Sequence, residues 1–419
     1  MKGEIDLAAR GAIARRHLSE ELLPFWMERS PDQTNGGFLT WFDEDGRPTG
    51  ETSKTFLAHA RLLFVFSAAH RAGFGEGRAL ELAERAASFL RDHFWDERFG
   101  GWTWIADRRG VTTCDAKVGY GQAFALYAFS EFVRATGDAR GRAALERTFE
   151  VVSERMADPA RGGWCELFER DWTRIAGPGG ERKTYDVHMH LMEGLTELAR
   201  LTADTAHRAA LDESIDVLLE RVIDPRTGAG RAQFALDWTP LPAVEFDLEW
   251  GRDEAPEDGE ARALDTVNYG HDVELAWLLG RAFEVSGRER ASLGSFVTRL
   301  LENVLTRGYD EELGGVFIEG PHDRPPRHTR KQFWQQAEAQ VGFLEGWELT
   351  GDPRLLTAFA GTQDFVQTHL VASGGGGEWR GLVERDGHPI WGELGTGWKV
   401  AYHTVRSQLE VVERCRRLG

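Results

Sequence analysis

Three segments of this chain set imidazoles and carboxylates at helical spacing. In Asp186-Val187-His188-Met189-His190-Leu191-Met192-Glu193, Glu193 falls three residues after His190 and shares its helix face, while His188 points elsewhere. Asn268-Tyr269-Gly270-His271-Asp272-Val273-Glu274 opens a helix after a glycine, with Glu274 three past His271, where a carboxylate orients an imidazole and raises its basicity. Trp398-Lys399-Val400-Ala401-Tyr402-His403 puts His403 near the start of the last helix. Arg61, Tyr120 and Trp334 occupy similar places in other segments. Two imidazoles, an arginine and aromatic walls suit proton transfer next to a carbonyl. One imidazole removes a C–H proton, a second group returns it, and the arginine stabilises the enediolate oxygen.

Other chemistries compete for the same residues. The His188/His190 pair reads as metal ligands, as buried structural groups, or as an active-site residue without metal; no Cys partner and no His-Glu-x-x-His pattern supports the metal. The third reading is taken for His190. Glycoside hydrolysis needs two carboxylates across the scissile bond. Asp115, Asp186, Glu274 and Glu338 are candidates, but carboxylates are plentiful in so acidic a chain, and three histidines at equivalent places are rarer.

The elements that position these groups follow from a repeat. Gly36-Gly37, Gly100-Gly101, Gly162-Gly163, Gly228-Ala229-Gly230, Gly314-Gly315 and the run from Gly374 to Gly377 recur roughly every 60 to 65 residues, and Asp32, Asp96, Asp158, Asp224 and Asp310 precede the first five. The interval from Gly228 to Gly314 is about 20 residues longer, so it carries an insertion. Each unit fits two helices and a turn. Apolar stripes such as Leu57-Ala60-Leu63-Phe64 and Val273-Leu275-Ala276-Leu279 mark amphipathic helices, and Gly137, Gly287 and Gly351 mark helix stops. Six helical hairpins predict a closed ring of twelve helices, an all-α (α/α)6 barrel. Short extended pieces such as Gly101-Trp102-Thr103-Trp104 form small β-hairpins over one mouth. The helix starts, with their positive dipole ends, converge on a single pocket suited to an anionic intermediate.

Composition narrows the partners. Fifty basic against 68 acidic side chains give a net charge of −18, which argues against nucleic acid or an anionic membrane. Cys114, Cys165 and Cys415 lie far apart, as expected of reduced thiols in the cytoplasm. The start of the chain lacks the apolar core of a signal peptide, and no apolar run reaches membrane-spanning length. Fifteen tryptophans suit sugar faces, although a core absorbs most of such a number.

At these residues the chain resembles the N-acylglucosamine 2-epimerase superfamily, and within it the cellobiose 2-epimerase and mannose 2-epimerase branches. The likeness covers nearly the whole chain. It rests on Leu23-Pro24-Phe25-Trp26 followed by Gly36-Gly37-Phe38, Lys54 to Arg61, Tyr120-Gly121-Gln122-Ala123-Phe124, and His188 to Glu193. Further on it rests on Tyr269 to Glu274, Trp334-Gln335-Gln336-Ala337-Glu338-Ala339 and Trp398 to His403. The resemblance implies cofactor-independent aldose chemistry: the ring opens, the C2 proton leaves to give a cis-enediolate, and reprotonation on the other face yields the 2-epimer. His271 and His403 would be the acid/base pair, and Arg61 would hold the carbonyl oxygen. His190 would assist ring opening or Arg61, and Glu274 would orient His271. Tyr120, Asp186, Trp334, Glu338 and Trp398 would contact the sugar. Asp186 departs from the asparagine usual in these epimerases.

The long fourth interval holds Glu249-Trp250-Gly251-Arg252-Asp253. It resembles a pocket-covering loop of mannose 2-epimerases, in which Trp250 and Asp253 would close over a monosaccharide. The expectation is a single catalytic domain over residues 1–419. It is a cytoplasmic 2-epimerase interconverting D-mannose and D-glucose, with no cofactor, no metal, a small sugar as its partner, and a homodimer left open. Cellobiose 2-epimerisation, mannose–fructose isomerisation and glycoside hydrolysis stay open as alternatives.

Overall fold

The computed structural model describes residues 5–177, 179–242, 264 and 266–419. Six inner helices, Phe56–Arg71, Gly119–Thr136, Tyr185–Thr202, Tyr269–Ser286, Phe333–Thr350 and Tyr402–Leu418, pack each against the next, and the sixth packs against the first. The ring is therefore closed. Six outer helices, at residues 7–29, 76–93, 139–156, 205–222, 294–308 and 353–370, cover it. The first outer helix lies on the last inner one, so the two ends of the chain complete one hairpin. The (α/α)6 barrel expected from the repeat is the observed fold. The inner helices are buried almost all round, as helices enclosed by other helices must be. Three of them stop at the predicted glycines, Gly137, Gly287 and Gly351, each in the left-handed region at φ 72°, 77° and 70°. The third helix ends instead on Ala203, at φ 54°.

Among the described residues, short antiparallel strands precede five of the inner helices and form five small sheets of two or three strands at one mouth. Lys117 pairs with Phe168, Lys183 with Phe234, Asn268 with Glu319, and Lys331 with Val383. In the hairpin expected near Trp102–Trp104, the paired residues are Ile105–Ala106 and Thr112–Cys114, just beyond.

The aspartates ahead of the glycine pairs are structural. Asp158 N–H donates to Gly163 O at 2.8 Å and Gly162 N–H to Asp158 O at 2.7 Å, closing a tight loop. Lys183 Nζ, buried beneath it, donates to Asp158 Oδ2 at 2.9 Å and to Gly162 O at 2.6 Å. Lys54 with Asp32, Lys117 with Asp96 and Lys331 with Asp310 repeat the arrangement. Burial opposes charge on Asp310, but Arg385 and Lys331 outweigh it and hold the carboxyl at about 2. In the fourth repeat Val267 replaces the lysine, and Arg226 and Arg231 pair with Asp224 instead.

A second repeated group ties five of the glycine turns to their inner helices. His188 Nε2 accepts the Trp164 N–H at 3.1 Å, while His188 Nδ1 lies 2.7 Å from Thr184 O. His59, Gln122, Asp272 and Gln336 do the same for Phe38, Trp102, Gly230 and Val316. Burial pulls His188 down to about 4, which keeps the acceptor nitrogen unprotonated. A Cβ on Gly163 (φ +73°) would lie 2.8 Å from that nitrogen and 2.7 Å from the Trp238 ring. Gly163→Ala is accordingly expected to lower unfolding free energy by about 1–3 kcal/mol through strain and overlap. An unchanged urea midpoint would show that the turn relaxes without cost.

Candidate active site

The inner helices carry their polar side chains in two layers below the strand mouth. The upper layer comes from the first turn: Tyr120, Asp186, His271, Trp334 and His403. The lower layer is a single register. Arg61, Phe124, His190, Glu274, Glu338 and Arg406 each stand seven residues after Lys54, Lys117, Lys183, Val267, Lys331 and Lys399 respectively. Arg61, Tyr120, Asp186, His190, His271, Glu274, Trp334, Trp398 and His403 all line one cavity at this mouth, together with Arg182, Asn268 and Glu319. The expected convergence of the helix starts is thus observed, at two depths. His188 lies outside it, in the structural role described above. Asp115 is on the surface beside Arg170, its side chain 52% exposed.

The two histidines of the upper layer come from the fourth and sixth inner helices, with Trp334 of the fifth between them. Its ring centroid is 5.0 Å from that of His271 and 5.7 Å from that of His403. His403 Nδ1 lies 2.7 Å from Glu338 Oε1, which also meets Arg406 Nη2 at 2.7 Å. A carboxylate at Nδ1 fixes the proton there and leaves the Nε2 lone pair available. Burial, with the cations Arg61 and Arg406 nearby, holds His403 well below the usual imidazole range. Burial also lowers His271, against the opposing charge of Asp186. Asn268 Oδ1 caps the His271 N–H at 3.0 Å and fixes where that residue starts its helix.

His190 behaves differently. Its Nδ1 lies 2.8 Å from Glu193 Oε2 and its Nε2 3.3 Å from Asp186 Oδ1. Burial disfavours the imidazolium, but these two carboxylates outweigh it and push His190 up to about 10. It is the cationic imidazole of the cavity. Arg61, 1% exposed, donates from Nη2 to Tyr120 Oη at 2.9 Å and from Nη1 to Trp398 O at 2.8 Å. Its guanidinium lies 4.8 Å from the Phe124 ring centre and 5.1 Å from that of Tyr402. Tyr120 stacks on Trp398 at 5.2 Å and 16°, giving a flat aromatic wall.

Glu274 does not serve His271. Its Oε1 pairs with Arg406 Nη2, although the spacing of three residues predicts a contact with the imidazole. The helix turns Glu274 inward to the lower layer while His271 stays in the upper one, and among the described residues the carboxylate nearest His271 is Asp186, at 3.5 Å. Arg406 is the residue that sequence reasoning overlooks. Only 2% exposed, it bridges Glu193, Glu274 and Glu338, and it donates to Tyr402 Oη. The signal was available in the register shared with Arg61 and His190. Glu338 likewise lies beneath His403 as its partner, with Trp277 Nε1 on its other oxygen at 3.0 Å, rather than in the cavity lining. Donor atoms of Glu274, Glu338 and His403 sit within 4.8 Å of one another, the geometry of a metal triad. The Arg406 guanidinium already lies against both carboxylates, so a metal ion there would meet its charge. Trp250 and Asp253 lie outside the described residues.

The N-acylglucosamine 2-epimerase family model matches residues 37–407. A cellobiose 2-epimerase of Bacteroides fragilis is 30% identical, over 95% of this chain and 97% of its own. The solved structure of the cellobiose 2-epimerase from Bacillus thermoamylovorans B4167 superposes with a TM-score of 0.86 at 27% identity, covering 97% of this chain and 100% of that one. A D-mannose isomerase shares the fold, with a TM-score of 0.81 at 18% identity over 96% of this chain and 97% of its own. The chain belongs to the N-acylglucosamine 2-epimerase family and is a sugar epimerase.

Proposed function

We propose that this enzyme interconverts D-mannose and D-glucose by moving the C2 proton through a cis-enediolate. The observation that carries the reading is the pair His271 and His403, both held below the usual imidazole range, on either side of Trp334 in a cavity that also holds Arg61. An unprotonated imidazole is the form a general base needs. His403, with its Nδ1 proton on Glu338, removes the C2 hydrogen through Nε2 when the epimer presents it to that side, and His271 returns a proton to the opposite face. The charges of Arg61 and the His190 imidazolium stabilise the oxygen that becomes anionic. The Tyr120–Trp398 wall and Trp334 bind the sugar's apolar faces. The whole chain acts as one catalytic domain, since the site draws on residues from Arg61 to His403.

Epimerisation of cellobiose is the second reading, favoured by the Bacteroides fragilis relative named for that activity. Mannose, glucose, fructose and cellobiose incubated side by side in heavy water separate the two. Mannose is expected to give glucose carrying deuterium at C2, seen by NMR. Faster turnover of cellobiose than of mannose would move the substrate to the disaccharide, and bond cleavage without C2 exchange would overturn the epimerase reading.

A further inference from the structure

Asp186 stands between two imidazoles. Its Oδ1 is 3.3 Å from His190 Nε2, on its own helix, and 3.5 Å from His271 Nε2, on the next. Glu193 occupies the other nitrogen of His190. A ring nitrogen that faces a carboxylate carries the proton. Both nitrogens of His190 are then protonated, and His271 carries its proton on Nε2, toward the cavity. His403 is set the opposite way, with its proton on Nδ1 toward Glu338. The two members of the pair are therefore not equivalent. Building on the epimerase reading, we propose that Asp186 is a positioning residue that makes His271 the proton-holding member of the pair, leaving His403 as the resting base.

The surrounding charges agree. Asp186 faces His190, His271, Arg61 and Tyr120, with Arg182 and Glu166 around it; His271 faces Asp186, His190 and Glu338. Arg61 and Arg406 add to the effect of burial on His403, whereas Asp186 opposes burial at His271. In one turnover the His403 Nε2 lone pair takes the C2 hydrogen as a proton and the C–H electrons enter the enediolate; His271, neutral at rest, binds a solvent proton on Nδ1 and passes its Nε2 proton to the enediolate carbon. His403 ends protonated and His271 neutral, and exchange with water restores the starting form.

The test is Asp186→Asn, which keeps the shape and removes the charge. The form with His271 protonated is lost as pH rises, so without the carboxylate this loss begins at lower pH. The basic limb of kcat/KM is expected to move down by about one to three pH units, with a smaller change in KM. A raised KM with the limb unmoved would make Asp186 an acceptor for a sugar hydroxyl and overturn the proposal. Nitrogen-15 NMR of the wild-type imidazoles needs neither variant nor substrate. Protonated Nε2 on His271 and two protonated nitrogens on His190 at pH 7 are expected, and a His271 protonated on Nδ1 with a bare Nε2 would overturn the assignment. Failure of the wild type to exchange hydrogen at C2 of any sugar would instead refute the epimerase reading, whatever the NMR shows.

Discussion

His403→Ala is expected to lower the rate of C2 hydrogen exchange by about 10²–10⁴-fold, the range a positioned general base contributes. The loss comes from the reacting atom and not from the fold. His403 is only one partner of Glu338, and the bridge from Glu338 to Arg406 at 2.7 Å and the Trp277 hydrogen bond at 3.0 Å remain when the imidazole is removed. His271→Ala is expected to cost a similar factor, because epimerisation requires a proton on each face of C2 in turn. The two variants differ in one diagnostic way. A single remaining base still exchanges the hydrogen of one epimer with solvent, slowly, without inverting the centre. Exchange and inversion measured together, by NMR in heavy water, therefore report on each histidine separately. Near wild-type exchange and inversion in either variant would remove that residue from the pair.

Arg406→Met is expected to destabilise the protein by about 3–5 kcal/mol, the usual consequence of removing one partner from a buried ion pair. Methionine approximates the volume but leaves Glu193, Glu274 and Glu338 facing one another without the guanidinium that bridges them. Burial and the neighbouring Glu338 already push Glu274 up, and Arg406 is among the groups that oppose this. Without the guanidinium Glu193, which Arg406 and His190 hold below the usual carboxylate range, rises, and Glu274 rises further above its unfolded value. A carboxyl whose folded pKa is raised is tolerated protonated and disfavours the fold once it ionises. The variant's deficit is therefore expected to be smallest at pH 5 and to grow toward pH 8, read as the melting temperature across that window. A deficit independent of pH would assign the loss to packing against Trp277 and Tyr402, over whose rings the guanidinium lies at 4.9 Å and 4.2 Å.

The sequence by itself determined the architecture and the identity of nine of the residues that line the cavity. A glycine-turn repeat implies hairpins, and six hairpins joined in order have few ways to bury their apolar stripes other than a closed ring. Chain spacing also placed His190 with Glu193, because three residues on a helix is a short-range geometry that folding does not alter. The same rule misled at His271 and Glu274. Spacing says that two side chains share a face, but depth along the ring axis decides what each meets there. Glu274 meets Arg406 from the sixth helix, while His271 meets Asp186 from the third. Glu338 belongs to His403 across 65 residues of chain, and Arg406 gathers carboxylates from three helices, pairings that no local pattern encodes. Likewise, the aspartates of the repeat, so regular in the sequence, serve the turns, and only the buried lysines beneath them show why. Periodicity fixes which residues turn inward. Closure of the ring decides which inward charges become neighbours, and so which imidazoles are neutral and which is charged.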